Sequence, residues 1–155
     1  MKLRLTKQFT FEMAHALPLY EGKCHNIHGH SYKLFVTVEG DALDNLSAEG
    51  NMGEFKLPDT GMVMDFGQIK KIVEQCIVAR FDHALVLPDS DAAANAPCDS
   101  LGGYPAKLIR VGFQPTTENL LLYFASLLKG ELPEHTRLYS LKLYETETSC
   151  AELLL

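Results

Sequence analysis

Leu3-Arg4-Leu5-Thr6-Lys7-Gln8-Phe9-Thr10-Phe11-Glu12-Met13-Ala14-His15 is the stretch whose reading decides the fold. Leu3, Leu5, Phe9, Phe11 and Met13 fall on one face, and Lys2, Arg4, Thr6, Gln8, Thr10 and Glu12 on the other. A period of two residues marks a half-buried β-strand. A second alternation follows shortly: Tyr32, Leu34, Val36 and Val38 against Ser31, Lys33, Thr37 and Glu39, ended by Gly40-Asp41. Between the two lies Cys24-His25-Asn26-Ile27-His28-Gly29-His30. If the second strand extends back into this cluster, His28 and His30 share the buried face of Tyr32 and Leu34. His15 continues the buried face of Phe9, Phe11 and Met13. Paired as a hairpin, the strands bring three imidazoles to one inward point.

Three imidazoles at one point suit Zn²⁺ at ~2.0–2.1 Å, with a fourth position for water or substrate. Gly29 lets the backbone pass close to such a site. Two other readings of the same residues stand beside this one. A His-x-His pair is ordinarily two satisfied or exposed side chains. A closed structural zinc would instead take Cys24 as its fourth ligand.

The chain has 155 residues and a mass of 17.3 kDa, which is one domain's worth of sequence, 1–155. Hydrophobic residues make up 46% and charged residues 22%, an ordinary globular composition. The formal net charge of -6 argues against an extended nucleic-acid or anionic-membrane surface, though not against a local basic pocket. No apolar run approaches the ~20 residues of a membrane span. Met1-Lys2-Leu3-Arg4 lacks a signal-peptide core, so the expected location is cytoplasmic. The four cysteines (Cys24, Cys76, Cys98, Cys150) lack paired spacing and read as free thiols.

Further along, 41–61 is a polar excursion with a helical turn expected near 43–46, and Met62-Val63-Met64 is a candidate short strand. Asp65, three residues before Gln68, starts a helix expected over 67–80, with Ile69, Ile72, Val73, Cys76 and Ile77 on its apolar face. Residues 88–105 read as a surface loop and 107–111 as a short strand. Pro115-Thr116-Thr117-Glu118 begins a second helix over 120–129, stopped at Gly130. Tyr139, Leu141 and Leu143 alternate with Ser140 and Lys142 in a last strand, and Glu145 continues their face. Cys76 is expected in the core, and His25 and His135 at the surface. Early neighbouring strands predict antiparallel pairing without βαβ crossovers, in an α+β fold with helices on one face of the sheet.

These residues resemble the 6-pyruvoyltetrahydropterin synthase / 6-carboxytetrahydropterin synthase family. Phe11-Glu12-Met13-Ala14-His15 and Cys24-x-x-x-His28-Gly29-His30 are similar to its metal-binding elements. Phe81-Asp82-His83, Pro115-Thr116-Thr117-Glu118-Asn119 and Glu145-Thr146 match its later elements, in family order. The resemblance implies the tunnelling fold: a four-stranded antiparallel sheet with two helices on one face, assembled as a homohexamer of two trimers with sites between subunits. It also implies 7,8-dihydroneopterin triphosphate as substrate and loss of triphosphate.

By that resemblance His15, His28 and His30 hold zinc. Cys24 transfers protons, activated by Asp82 and His83. Glu145 anchors the pterin ring, and Thr116 and Thr117 line the pterin pocket. A carboxylate suits the flat donor pair of a pterin, and a thiol becomes a usable base beside cationic neighbours. The closer match in Cys-x-x-x-His-Gly-His spacing favours the 6-carboxytetrahydropterin synthase type, of the queuosine (7-deazaguanine) pathway, releasing triphosphate and acetaldehyde. The 6-pyruvoyltetrahydropterin synthase reaction of tetrahydrobiopterin-type pathways is the alternative within the family. A non-catalytic pterin- or zinc-binding module with a closed Cys/His₃ site is the alternative from another class. The stretches 46–60 and 88–112 are longer than in compact bacterial members.

Overall fold

Two fourteen-residue strands, β1 (Lys2–His15) and β2 (His28–Asp41), form the spine of the molecule. They pair antiparallel along their whole length, from Lys2 opposite Asp41 to His15 opposite His28. The computed structural model describes residues 2–41, 61–89, 100–101, 104–105 and 107–155. A helix, α1, begins at Phe66–Val73, passes through a π-helical stretch Glu74–Val78 and ends with the turn Ala79–Phe81. β3 (Ala84–Pro88), β4 (Ser100–Leu101), β5 (Tyr104–Pro105) and β6 (Lys107–Val111) follow. Helix α2 (Thr117–Leu128), β7 (Thr136–Thr146) and β8 (Ser149–Leu154) complete the chain. The main sheet runs β6-β3-β1-β2-β7-β8, and β4 and β5 pair separately inside the expected 88–105 loop.

The α+β class and the helix-covered face agree with the sequence reading, but the sheet has six strands and is mixed. β3 lies parallel to both β1 and β6, so α1 is part of a crossover that alternation alone did not reveal. The reason lies in β3 itself. Ala84-Leu85-Val86-Leu87-Pro88 is buried at every position, so it carries no alternation, as expected of strands covered on both faces. Met62-Val63-Met64 is not a strand; Val63 and Met64 plug into the core as the chain approaches α1. The turn expected near 43–46 lies outside the described residues.

Asp65 caps α1, accepting the Gly67 N–H at 2.7 Å. The fully buried positions of α1 are Ile69, Val73, Ile77 and Phe81, spaced by four. A 3.6-residue helix would carry such a stripe progressively off the sheet. The wider π turn, closed by the Ala79 N–H to the Glu74 carbonyl, keeps Ile77 and Phe81 on the core side. Thr116 caps α2 by accepting the Asn119 N–H at 3.3 Å. Phe124 of α2 meets Phe81 at 5.0 Å and Phe11 at 6.1 Å, and Phe11 stacks on Tyr32 at 5.3 Å. This aromatic chain runs from the helices to the end of β2 that carries the histidines.

A register shift in β7 opposite Thr37 and Val38 changes which residues face the core. Leu138 packs against the core beside Leu141 and Leu143. Tyr139, expected on their face, instead lies under Arg4, whose guanidinium sits 3.5 Å from the ring centroid. Arg4 and Arg137 both donate to Glu39, at 2.9 Å and 2.7 Å, and leave its side chain 7% exposed. Hydrogen bonds first from Arg137 and then from Arg4 hold the Glu39 carboxyl below its ordinary value of 4.5. A depressed carboxyl pKa stabilises the fold above the unfolded value, and that contribution is lost as pH falls through the folded value. The midpoint of thermal unfolding should therefore drop more steeply below about pH 4.5 in the parent than in Glu39→Gln. Parallel slopes for the two proteins would exclude a role for this cluster in acid stability.

Candidate metal centre

The β1–β2 register places His15 directly opposite His28 and Met13 opposite His30. Two residues of β2 and one of β1 thus turn their rings to the same side, at the open end of the core. The ring centroids lie 4.6 Å (His15–His28), 5.3 Å (His15–His30) and 5.0 Å (His28–His30) apart. His15 is 1% exposed. Glu145 arrives from β7, where the pairing with β8 slips between Tyr144 and Thr146. Bulges of this kind re-aim a side chain. One potential ligand atom from each of His15, His28, His30 and Glu145 lies within 4.8 Å of all the others, so the group is able to hold a metal ion.

The hydrogen bonds behind these rings decide what the front can do. His15 Nδ1 lies 2.7 Å from the Pro115 carbonyl oxygen, and His28 Nδ1 lies 2.8 Å from that of Asn26. A carbonyl oxygen only accepts, so each Nδ1 carries a proton. In the neutral rings each Nε2 then presents a lone pair to the cluster. His30 Nε2 is buried without a hydrogen-bond partner. Glu145 Oε1 lies 3.3 Å from His15 Nε2 and 3.4 Å from His30 Nε2. Protonating His15 would satisfy one contact, but charging all three adjacent imidazoles would set like charges against each other. A single cation satisfies every acceptor at once. The two separations also match the ~3.3–3.4 Å edge of a tetrahedron with ~2.0–2.1 Å zinc bonds.

Burial lowers the pKa of His30, opposed by the Glu145 carboxylate and assisted by the neighbouring histidines. A hydrogen bond from His15, which requires that ring to carry both protons, would hold the Glu145 carboxyl below its usual range, against the opposing effect of burial. Tyr32 forms the floor, its hydroxyl 3.5 Å from His15 Nε2. Burial pushes the phenol well above its ordinary range, so it stays protonated and available as a donor.

Cys24 sits in a 3₁₀ turn (Lys23–His25) before β2, partly exposed, and is not part of the four-residue group. The closed site with Cys24 as fourth ligand is therefore not the arrangement found. Cys24, Cys76 and Cys150 are all free thiols among the described residues, and Cys76 packs against the core as expected. His25 and His135 are exposed, although His135 Nε2 also donates to the Val63 carbonyl at 3.1 Å.

Asp82 and His83 stand elsewhere. Asp82 Oδ2 meets His83 Nδ1 at 2.9 Å, while its Oδ1 accepts the Glu12 N–H at 2.9 Å. That backbone bond, with the His83 imidazole, holds the Asp82 carboxyl below its usual range. His83 is 78% exposed and lines a cleft of about 470 Å³ with Glu12, Ala14, Gly29 and Ser31. Alternation puts Glu12 and Ala14 on the side of β1 opposite His15. Met13 and His30 line that cleft as well, while Asp82 and His83 themselves stay outside the four-residue histidine–Glu145 group.

Thr116 acts as the α2 cap, and Thr117 is buried in the first turn of the helix. The functional groups that sequence reasoning missed are the Pro115 and Asn26 carbonyls and the Tyr32 hydroxyl. Pro115 carried a signal: the residue preceding a helix cap has a carbonyl outside the helix ladder.

The 6-pyruvoyl tetrahydropterin synthase family profile matches residues 4–154. The chain is 32% identical over 149 residues to the 6-carboxy-5,6,7,8-tetrahydropterin synthase of Haemophilus influenzae, covering 96% of each chain. It is 34% identical over 146 residues to the protein of the same name from Synechocystis, covering 94% of this chain and 88% of the other. Its fold is similar to that of 6-pyruvoyl tetrahydropterin synthase from Caenorhabditis elegans. There the TM-score is 0.64 at 22% identity, with 100% and 96% of the two chains covered. The chain belongs to the 6-pyruvoyl tetrahydropterin synthase family.

His28→Ala should abolish binding of a divalent metal ion at this cluster, measured by plasma mass spectrometry after metal loading, because two imidazoles cannot complete the site. Glu145→Gln should keep the metal but yield it to a chelator about 10- to 100-fold more readily. Retention of full metal binding by His28→Ala would dismiss this cluster as the metal centre.

Proposed function

We propose that the protein is a zinc-dependent lyase of the 6-carboxytetrahydropterin synthase type. It would convert 7,8-dihydroneopterin triphosphate and water to 6-carboxy-5,6,7,8-tetrahydropterin with release of triphosphate and acetaldehyde, in the queuosine pathway. The observation that carries this reading is the convergence of His15, His28, His30 and Glu145 acceptor atoms on one point. It occurs in a chain that matches relatives of that name over nearly its whole length. Zinc held there supplies Lewis acidity toward the hydroxyls of the substrate side chain.

The chain's own residues divide the remaining work. Glu145 anchors the flat donor edge of the pterin through its carboxylate. Thr116 and Thr117 line the ring pocket beside the Pro115 carbonyl that fixes His15. Cys24 moves protons at the side-chain carbons, and His83, oriented by Asp82, exchanges the proton with the thiol. With Asp82 and His83 outside the four-residue group, the proposed relay draws Cys24 and His83 from different copies of the chain. This supports assembly of the chain around shared sites, as a homohexamer of two trimers. No helix among the described residues is long and apolar enough to cross a membrane, which fits the proposed cytoplasmic location and small-molecule partner.

The second reading, the 6-pyruvoyltetrahydropterin synthase reaction, is favoured by the family's own description and uses the same groups. Incubation of zinc-loaded protein with dihydroneopterin triphosphate should yield acetaldehyde and the 6-carboxy product. A pyruvoyl product without acetaldehyde would establish the second reading. Cys24→Ala should retain zinc and lose turnover by about 10²- to 10⁴-fold. Unchanged turnover in that variant would remove the thiol from the mechanism.

A further inference from the structure

We infer that Lys107 is a positioning residue for the Asp82–His83 pair. The inference rests on the proposed role of that pair in proton transfer. Lys107 begins β6, opposite Ala84 in the parallel β3–β6 register, which brings it beside the turn between α1 and β3. Its ammonium donates to the carbonyls of Ala79, at 2.8 Å, and Asp82, at 3.0 Å. Both acceptors lie where α1 stops, among carbonyls that the helix leaves without an intrahelical donor. A cation there also complements the negative end of the helix dipole.

The turn needs such support because His83 has a φ of 58°, the left-handed region. Residues with a side chain visit that region rarely and stay there when surrounding contacts over-determine it. β1 supplies contacts from one side. The His83 N–H donates to the Glu12 carbonyl at 2.6 Å, and the Glu12 N–H donates to Asp82 Oδ1 at 2.9 Å. Lys107 supplies them from the other, gripping the carbonyl of the same Asp82–His83 peptide that β1 holds by its N–H. The peptide plane is thereby fixed at both ends, and with it the direction in which the imidazole leaves the backbone. Lys107 and His83 line the same cleft. Only donors with reach across two carbonyls can do this, which a methionine of similar length cannot.

The test compares zinc-loaded parent, Lys107→Met, Lys107→Gln, Lys107→Arg and His83→Ala in full-length protein. Lys107→Met and Lys107→Gln should lower kcat about 10- to 100-fold with KM and zinc content unchanged, because misplacing a reacting group acts on the chemical step. Lys107→Arg should recover most of the loss. In Lys107→Met, long-range nitrogen NMR of the His83 ring should lose the fixed Nδ1–H pattern expected in the parent from the Asp82 contact, a change that a general loss of stability would not single out. If His83→Ala is inactive while both neutral Lys107 variants keep parental kcat and His83 signals, the inference is overturned and the proposed function stands. If His83→Ala keeps parental turnover, the proton-transfer role of the pair fails, and the inference with it.

Discussion

The antiparallel register that sets His15 opposite His28 is the constraint on which the rest of the structure depends. Side chains alternate along a strand, so one register fixes the face of every residue in both strands. The register that buries Phe9, Phe11 and Met13 with Tyr32, Leu34 and Val36 is the same one that turns three imidazoles inward. A slip of one residue would expose the aromatic core and scatter the histidines together. Packing of the core and assembly of the site are therefore a single event, and the apolar contacts provide the free energy that holds the metal centre in place.

What makes the centre specific is less the three imidazoles than the groups behind them. Two backbone carbonyls, of Pro115 and Asn26, fix the proton on Nδ1 and leave Nε2 as an acceptor. His15 and His28 then each turn a lone pair to the cluster, which is closed by the Glu145 carboxylate and floored by Tyr32. One acceptor comes from the start of α2, 100 residues beyond His15. The cap at Thr116 thus serves the site through geometry as well as ending the helix ladder, and the Pro-Thr-Thr-Glu sequence has two duties in one turn.

The mixed sheet separates the two halves of the proposed chemistry. The parallel strands β3 and β6, on the β1 side of the sheet, hold Asp82–His83 and Lys107 outside the histidine–Glu145 group. The same arrangement explains why a short chain can host so many reactive groups without enclosing them. Each half offers part of a site, and a second copy supplies the rest under the proposed assembly. The Asp82–His83 turn is held in an uncommon backbone conformation from both flanking strands, a rigidity that suits a group meant to act across an interface.

Sequence alone determined the elements whose signal is local. Alternation marked β1, β2 and most of β7; helical spacing of Ile69, Ile72, Val73, Cys76 and Ile77 marked α1; Asp65 and Thr116 marked the helix starts. The phase of His15 with Phe11, and of His30 with Tyr32, made the convergence of the histidines legible, because strand periodicity carries a side chain's direction. Tertiary structure decided what local patterns do not encode. β3 is buried on both faces and shows no period, so its parallel place between β1 and β6 had no signature. The shift in β7 moved Tyr139 from the core face to Arg4, since a bulge breaks phase without changing composition. The roles of the Pro115 and Asn26 carbonyls and of Lys107 depend on backbone atoms that every residue possesses, and only the folded arrangement selects which of them a distant side chain meets.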